Sequence, residues 1–101
     1  MLVHNVYFSL KDSSEAAQNN LLAACRKYLP SHVGIVFFGC GTRAKELDRP
    51  VNDKGFDVAL HVVFTTKATH DEYQKSALHL QFIQENQRNW ATVRVFDSEA
   101  E

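Results

Sequence analysis

The sequence is short of the features that mark most specialised small proteins. It has only two cysteines in 101 residues. Cys25 and Cys40 lie far apart, without a Cys-x-x-Cys spacing, so neither a disulfide framework nor a cysteine metal site is expected. Two buried, reduced thiols in a cytoplasmic protein fit them better. No charge of one sign dominates: 11 basic and 12 acidic residues leave a net charge of -1. Without a basic surplus there is no footprint for nucleic acid or an anionic membrane. No apolar run approaches the ~20 residues of a membrane helix. Met1–Leu10 carries His4 and Asn5 and has no basic n-region, so no export leader is expected. No repeat or low-complexity segment is present.

What is there fits one small α+β domain. Apolar types make up 45% of the chain, ordinary for a globular fold. Val3–Leu10 alternates as a strand, with Leu2, His4, Val6, Phe8 and Leu10 on one face and Val3, Asn5, Tyr7 and Ser9 on the other. Asp12 or Ser13 is the expected N-cap of a helix running to about Leu29 and stopped by Pro30. Ala17, Leu21, Ala24, Cys25, Tyr28 and Leu29 recur on its inner face. His32–Thr42 reads as a second strand, apolar on both faces and therefore covered on both, with glycines that permit a bulge. Arg43–Gly55 reads as an exposed loop.

Phe56–Thr65 is the clearest strand. Phe56, Val58, Leu60, Val62 and Phe64 share one face, and Asp57, Ala59, His61, Val63 and Thr65 the other. Thr69 and Glu72 have capping-box spacing, opening a helical region to about Asn89 whose inward residues are Tyr73, Ala77, His79, Phe82, Ile83 and Asn86. Ala91–Phe96 is the last strand. Asp97–Glu101 reads as a loose acidic end, which puts the domain at 1–97 and a tail at 98–101.

The order β-α-β-β-α-β predicts a ferredoxin-like subunit: a four-stranded antiparallel sheet with its helices on one face. Two helical layers would be needed to cover both faces, and only one is available. The bare face mixes Val3, Tyr7, Ala59 and Val63 with Asn5, Asp57 and His61. A second copy packed sheet to sheet is the economical cover, so a homodimer is expected, with Asn5, Tyr7, Asp57 and His61 at its interface.

These segments together resemble the stress-responsive A/B barrel domain family of the dimeric α+β barrel superfamily. The resemblance rests on Leu2-Val3-His4-Asn5-Val6-Tyr7-Phe8, on Gly55-Phe56-Asp57-Val58-Ala59-Leu60-His61-Val62-Val63-Phe64, on Tyr73, on His79 followed by Phe82, and on Val93-Arg94-Val95-Phe96-Asp97. It implies subunits that close into a β-barrel with the helices outside. More distantly the chain is similar to the plant olivetolic acid cyclase, a polyketide cyclase, which implies catalytic roles for Tyr73, His79 and His4. Two departures stand out. A further pocket histidine of the cyclase is matched by Val58, and the family's His-Pro pair before the second-helix histidine is Ser76-Ala77 here.

His4, Tyr73 and His79 are expected to converge on a pocket between sheet and helices, lined by Val58, Leu60, Phe82, Ile83 and Tyr28. His79 suits a general base, while Tyr73 and His4 suit the orientation of an oxygen. This points to a small-molecule pocket protein, with a cofactor-free cyclase or lyase working by proton abstraction next to a carbonyl as its enzymatic form. A non-enzymatic dimer that binds a ligand in a stress response is the alternative, with packed core histidines and tyrosine; a monooxygenase-like activity ranks third. A pocket filled by Phe82 or Trp90 would count against chemistry. No cofactor motif is present. No His-x-His or His-x-x-x-His spacing occurs, so no metal site is expected. His70 reads as a solvated helix-start residue and His32 as a loop residue.

Overall fold

Every second residue of the first strand is buried, and that alternation organises the rest of the molecule. The computed structural model describes residues Met1–Glu101. Its elements are β1 (Leu2–Leu10), α1 (Glu15–Tyr28), β2 (Ile35–Thr42), β3 (Val58–Phe64), α2 (Lys67–Lys75), α3 (Ala77–Asn86), a 3-10 turn (Gln87–Asn89) and β4 (Trp90–Glu99). All strand pairs are antiparallel, in the order β2-β3-β1-β4. This is the expected ferredoxin-like α+β subunit.

The core lies between one sheet face and the helices. Leu2, Val6, Phe8 and Leu10 of β1 meet Val58, Leu60, Val62 and Phe64 of β3, and Leu21, Leu22, Cys25 and Tyr28 of α1 close over them. Tyr73 and Phe82 complete the layer from α2 and α3. The Tyr28 hydroxyl donates to the Glu85 carboxylate at 2.7 Å, tying α1 to α3.

Several boundaries differ from expectation. Ser14, rather than Asp12 or Ser13, caps α1 by accepting from the Ala17 amide; Asp12 instead accepts from the Ser14 amide one step outside. Thr66 caps α2 by accepting from the Thr69 amide, so this helix starts earlier than the Thr69–Glu72 spacing implies. The second helical region is two helices broken at Ser76, and Ala77, expected to face inward, is exposed beyond the break. β4 continues through Glu99, where a loose end was expected, because Asp97, Ser98 and Glu99 pair with His4, Val3 and Leu2.

The second strand starts at Ile35. Its register places Ile35 opposite Phe64 and Phe37 opposite Val63, leaving Val36 as a one-residue bulge. The bulge turns Ile35, Phe38 and Cys40 onto the core and Phe37 onto the open face. Neither Val36 nor Phe37 is covered within the subunit: Phe37 is 56% exposed, on the face that the helices leave to a second copy.

The open face is the one the helices do not reach. Tyr7 packs edge-on against Phe56, His61 and Phe96 there, and Phe96 is 54% exposed. His61 Nδ1 and Asn5 Oδ1 are 2.7 Å apart. Asp57 does not join this pair; its carboxylate accepts from the Leu10 amide at 2.8 Å.

Gly34 carries φ +91°, and a Cβ built there would lie 2.5 Å from the Thr69 Cβ. Both the left-handed backbone and the close approach of α2 therefore exclude a side chain. Gly34→Ala should destabilise the fold by about 2 kcal/mol or more, from ~1–2 kcal/mol of backbone strain plus the clash. The measurement is the midpoint of urea unfolding; an unchanged midpoint would contradict this account.

Candidate active site

The break at Ser76 aims the site. Ser76 has an extended backbone (φ -63°, ψ 149°) and is at once the C-cap of α2 and the N-cap of α3. Its hydroxyl oxygen accepts from the His79 amide at 3.1 Å. The same oxygen lies 2.8 Å from His32 Nε2, while His32 Nδ1 is 2.9 Å from the Leu29 carbonyl. A carbonyl only accepts, so Nδ1 carries the proton, and in the neutral ring Nε2 accepts from the Ser76 hydroxyl. His32 is therefore not a free loop residue. It links the end of α1 to the break, and its ring stands edge-on to Tyr73 at 5.0 Å. The Ser-Ala pair thus keeps a sharp break without a proline.

This bend brings α2 and α3 over β1 and leaves a half-open cavity of about 170 Å³. His4, Tyr73 and His79 all line it, with Leu60, Phe82, Ile83, Gln74, Trp90, Val93 and Val95 among the others. Phe82 and Trp90 stand 5.8 Å apart as part of the wall and leave the space open. Two expected lining residues do not reach it. Val58 is fully buried in the core, and Tyr28 is held by Glu85 on the far side of α3.

His4 is 4% exposed. Its Nδ1 lies 2.5 Å from Asp97 Oδ1, the residue opposite it in the β1–β4 register. With the carboxylate as acceptor, Nδ1 carries the proton and Nε2 keeps a lone pair, 3.4 Å from the Gln74 amide nitrogen. Burial holds the His4 pKa below its ordinary value, outweighing the opposing pull of Asp97. The Gln74 amide also reaches His70 Nε2 at 3.3 Å, and His70 Nδ1 lies 3.1 Å from Asp71. His70 is not solvated as expected: its ring packs 4.9 Å from His4 and 5.5 Å from Phe64.

Tyr73 and His79 differ from His4 in each keeping one buried polar atom without a partner. Their rings meet edge-on at 4.7 Å, yet the Tyr73 hydroxyl and His79 Nδ1 are both buried without a hydrogen bond. Leaving a buried polar atom unsatisfied costs about 1–3 kcal/mol. Burial pushes the Tyr73 phenol above its ordinary range, with the Cys25 thiol adding to the effect. Burial pushes His79 down to about 4, helped by His4, His32 and His70. At neutral pH the site therefore holds a protonated phenol and a free imidazole base.

Asp97, Gln74, His70 and Ser76 are the site residues that sequence reasoning missed. The signal for Asp97 was available: extending the last strand by one residue places it directly across from His4.

The depressed His79 pKa makes stability depend on pH. Its folded value of about 4 lies below the ~6.5 of an unfolded histidine. The unfolded chain therefore takes up a proton that the folded chain refuses. Stability is fullest above about pH 6.5 and falls toward pH 4, by at most about 3 kcal/mol from this residue. His4 acts in the same direction. Denaturant unfolding at pH 7.5, 6 and 5 should show a steep decline in the native chain and a flatter one in His79→Leu; equal slopes would refute the assignment.

Comparison with known proteins places this geometry in context. The Stress responsive A/B Barrel Domain family profile matches residues 2–100. No curated protein matches the sequence. Among solved structures, a family member with a ferredoxin-like fold from Mesorhizobium loti is similar over 99% of this chain and 96% of its own, at 19% identity and a TM-score of 0.81. A hydroxynitrile lyase from Passiflora edulis is similar over 99% and 93%, at 19% identity and a TM-score of 0.77. A dimeric ferredoxin-like protein of unknown function from Jannaschia is similar over 98% of both chains, at 20% identity and a TM-score of 0.77. At these identities the structures share the fold. The family profile spans nearly the whole sequence, and the chain belongs to the stress-responsive A/B barrel domain family.

Proposed function

We propose that this chain is a small-molecule pocket protein acting as a cofactor-free lyase or cyclase. His79 takes a proton, Tyr73 donates to the oxygen on which charge changes, and His4 positions the substrate beside them. The observation that carries this reading is the convergence of His4, Tyr73 and His79 on one cavity, with the Tyr73 hydroxyl and His79 Nδ1 left without protein partners just behind its wall. A small shift of either ring would bring these atoms to a ligand, whose hydrogen bonds would recover the desolvation cost. His79 is already deprotonated at neutral pH, so its lone pair is free to accept a proton. The phenol stays protonated and can donate to an oxygen that gains negative charge. His4, with its Nδ1 held by Asp97, has a fixed ring beside Tyr73 and positions the substrate by packing.

The cavity size favours a lyase over a polyketide cyclase. Its ~170 Å³ falls below the ~300–1,000 Å³ of drug-sized pockets and equals the share of about six waters. A substrate of about half a dozen non-hydrogen atoms fills that space, whereas most of a long polyketide chain would have to lie outside its open mouth. The hydroxynitrile lyase that shares the fold suggests a small 2-hydroxynitrile as a probe. In that reaction the base takes the hydroxyl proton, the bond from carbon to the nitrile breaks, and its electron pair leaves with cyanide. A carbonyl compound remains.

The working unit in this reading is a homodimer. Tyr7, Phe37, Val63 and Phe96 share the uncovered face, and dimeric proteins of the same fold support its burial against a second copy. Asn5 and His61 would meet the partner there as a hydrogen-bonded pair.

Acetone cyanohydrin tests the chemistry by cyanide release. The native chain should cleave it, His79→Ala should lose about 100-fold or more in kcat, and its elution on size exclusion should stay that of the native chain. Unchanged turnover in His79→Ala would remove the base assignment; ligand binding without turnover would leave the non-enzymatic reading. Separately, Phe37→Glu should shift the sedimenting species from dimer to monomer, and an unchanged dimer would mean that another surface pairs.

A further inference from the structure

We propose that His4, His70 and Asp97 form a binding site for a divalent transition-metal ion of the zinc class. Three elements supply the ligands: β1, α2 and β4. No spacing pattern in the sequence could show such a set. One ligand atom from each residue lies within 4.8 Å of the others. A tetrahedral ion with bonds of ~2.0–2.1 Å spaces its ligands at about 3.3 Å. Side-chain shifts of about an ångström or so would therefore close the set, and His4 Nδ1 and Asp97 Oδ1 already stand closer than that, at 2.5 Å.

The donor chemistry selects the ion. Two imidazoles and one carboxylate suit a borderline-soft cation, whereas calcium and magnesium require a shell of oxygens. Three protein ligands leave a position for water. Local charge also favours a cation. Asp97 and Asp71 bring two negative charges against the single positive charge of Lys67, which pairs with Asp71 at 2.7 Å. Asp71 holds His70 Nδ1 at 3.1 Å, as a carboxylate holds a metal-bound imidazole, and the Gln74 amide, which spans His4 Nε2 and His70 Nε2, gives up its contact to His70 when the ion takes that nitrogen. Binding replaces the proton between His4 Nδ1 and Asp97, which is released to solvent. The site stands on this geometry alone and does not depend on chemistry in the cavity.

The test uses the full chain after dialysis against a chelator. Zinc chloride titrated by calorimetry should bind at one ion per chain, with a Kd of about 10 µM or below. Cobalt chloride should give the visible absorption of a low-coordinate site. His70→Ala and Asp97→Asn should each weaken zinc by about tenfold or more, while His61→Ala on the open face should not. Circular dichroism checks that each variant is folded. His70 lies toward the rim, with a side chain 14% exposed, so His70→Ala decides the question even where Asp97→Asn unfolds. No binding at about 1 mM zinc, or wild-type affinity in His70→Ala, would overturn the site.

Discussion

A two-faced sheet with one layer of helices is the constraint on which the rest of the structure depends. Strand alternation sends Leu2, His4, Val6, Phe8 and Leu10 to the covered side and leaves Val3, Asn5, Tyr7 and Ser9 on the other. The covered side becomes both core and cavity wall. The open side keeps an aromatic cluster around Tyr7 that no part of the same chain can cover. The division also separates the two polar groups of the molecule. The His4 cluster lies under the helices, and the His61–Asn5 pair lies on the surface available to a second copy.

On the covered side, the important local event is the break between α2 and α3. A continuous helix would carry Tyr73 and His79 on one straight axis. The break at Ser76 folds them together at 4.7 Å over β1. One residue ends one helix with its backbone N–H, starts the next with its hydroxyl oxygen, and donates that hydroxyl to a histidine held against the end of α1. The orientation of His79 is thus tied to α1 as well as to its own helix. The resulting site is strongly graded. His4 is held by a carboxylate, whereas Tyr73 and His79 retain unpaired buried atoms.

Most of the architecture could be read from the sequence because it follows from period and punctuation. The alternation in β1 and β3, the Pro30 stop and the uncovered face all have one-dimensional signatures. The errors fell where tertiary pairing decides. Val36 reads as ordinary strand, but a bulge leaves it unpaired. Asp97 reads as part of a polar end, but β1 offers it a pairing partner and the strand continues. Val58 and Tyr28 are on inward faces, as their spacing implies, yet inward includes both core and cavity, and periodicity cannot distinguish them. His70 lies beside Asp71 and Glu72 and looks solvated, until the tilt of α2 lays it on His4.

The pairing of β4 with β1 makes edge-strand register a control on the chemistry of the site. Adjacent residues of β4 point to opposite faces, so Asp97 faces His4 while Phe96 joins Tyr7 on the open side. A one-residue deletion or insertion in the turn before Trp90 would exchange those roles throughout the strand. An aromatic or a serine would then stand where the carboxylate does, and Val93 and Val95 would leave the cavity wall with it. Indels in a surface turn would therefore change both the acidic partner of His4 and the wall beside it, without any substitution in β1, α2 or α3.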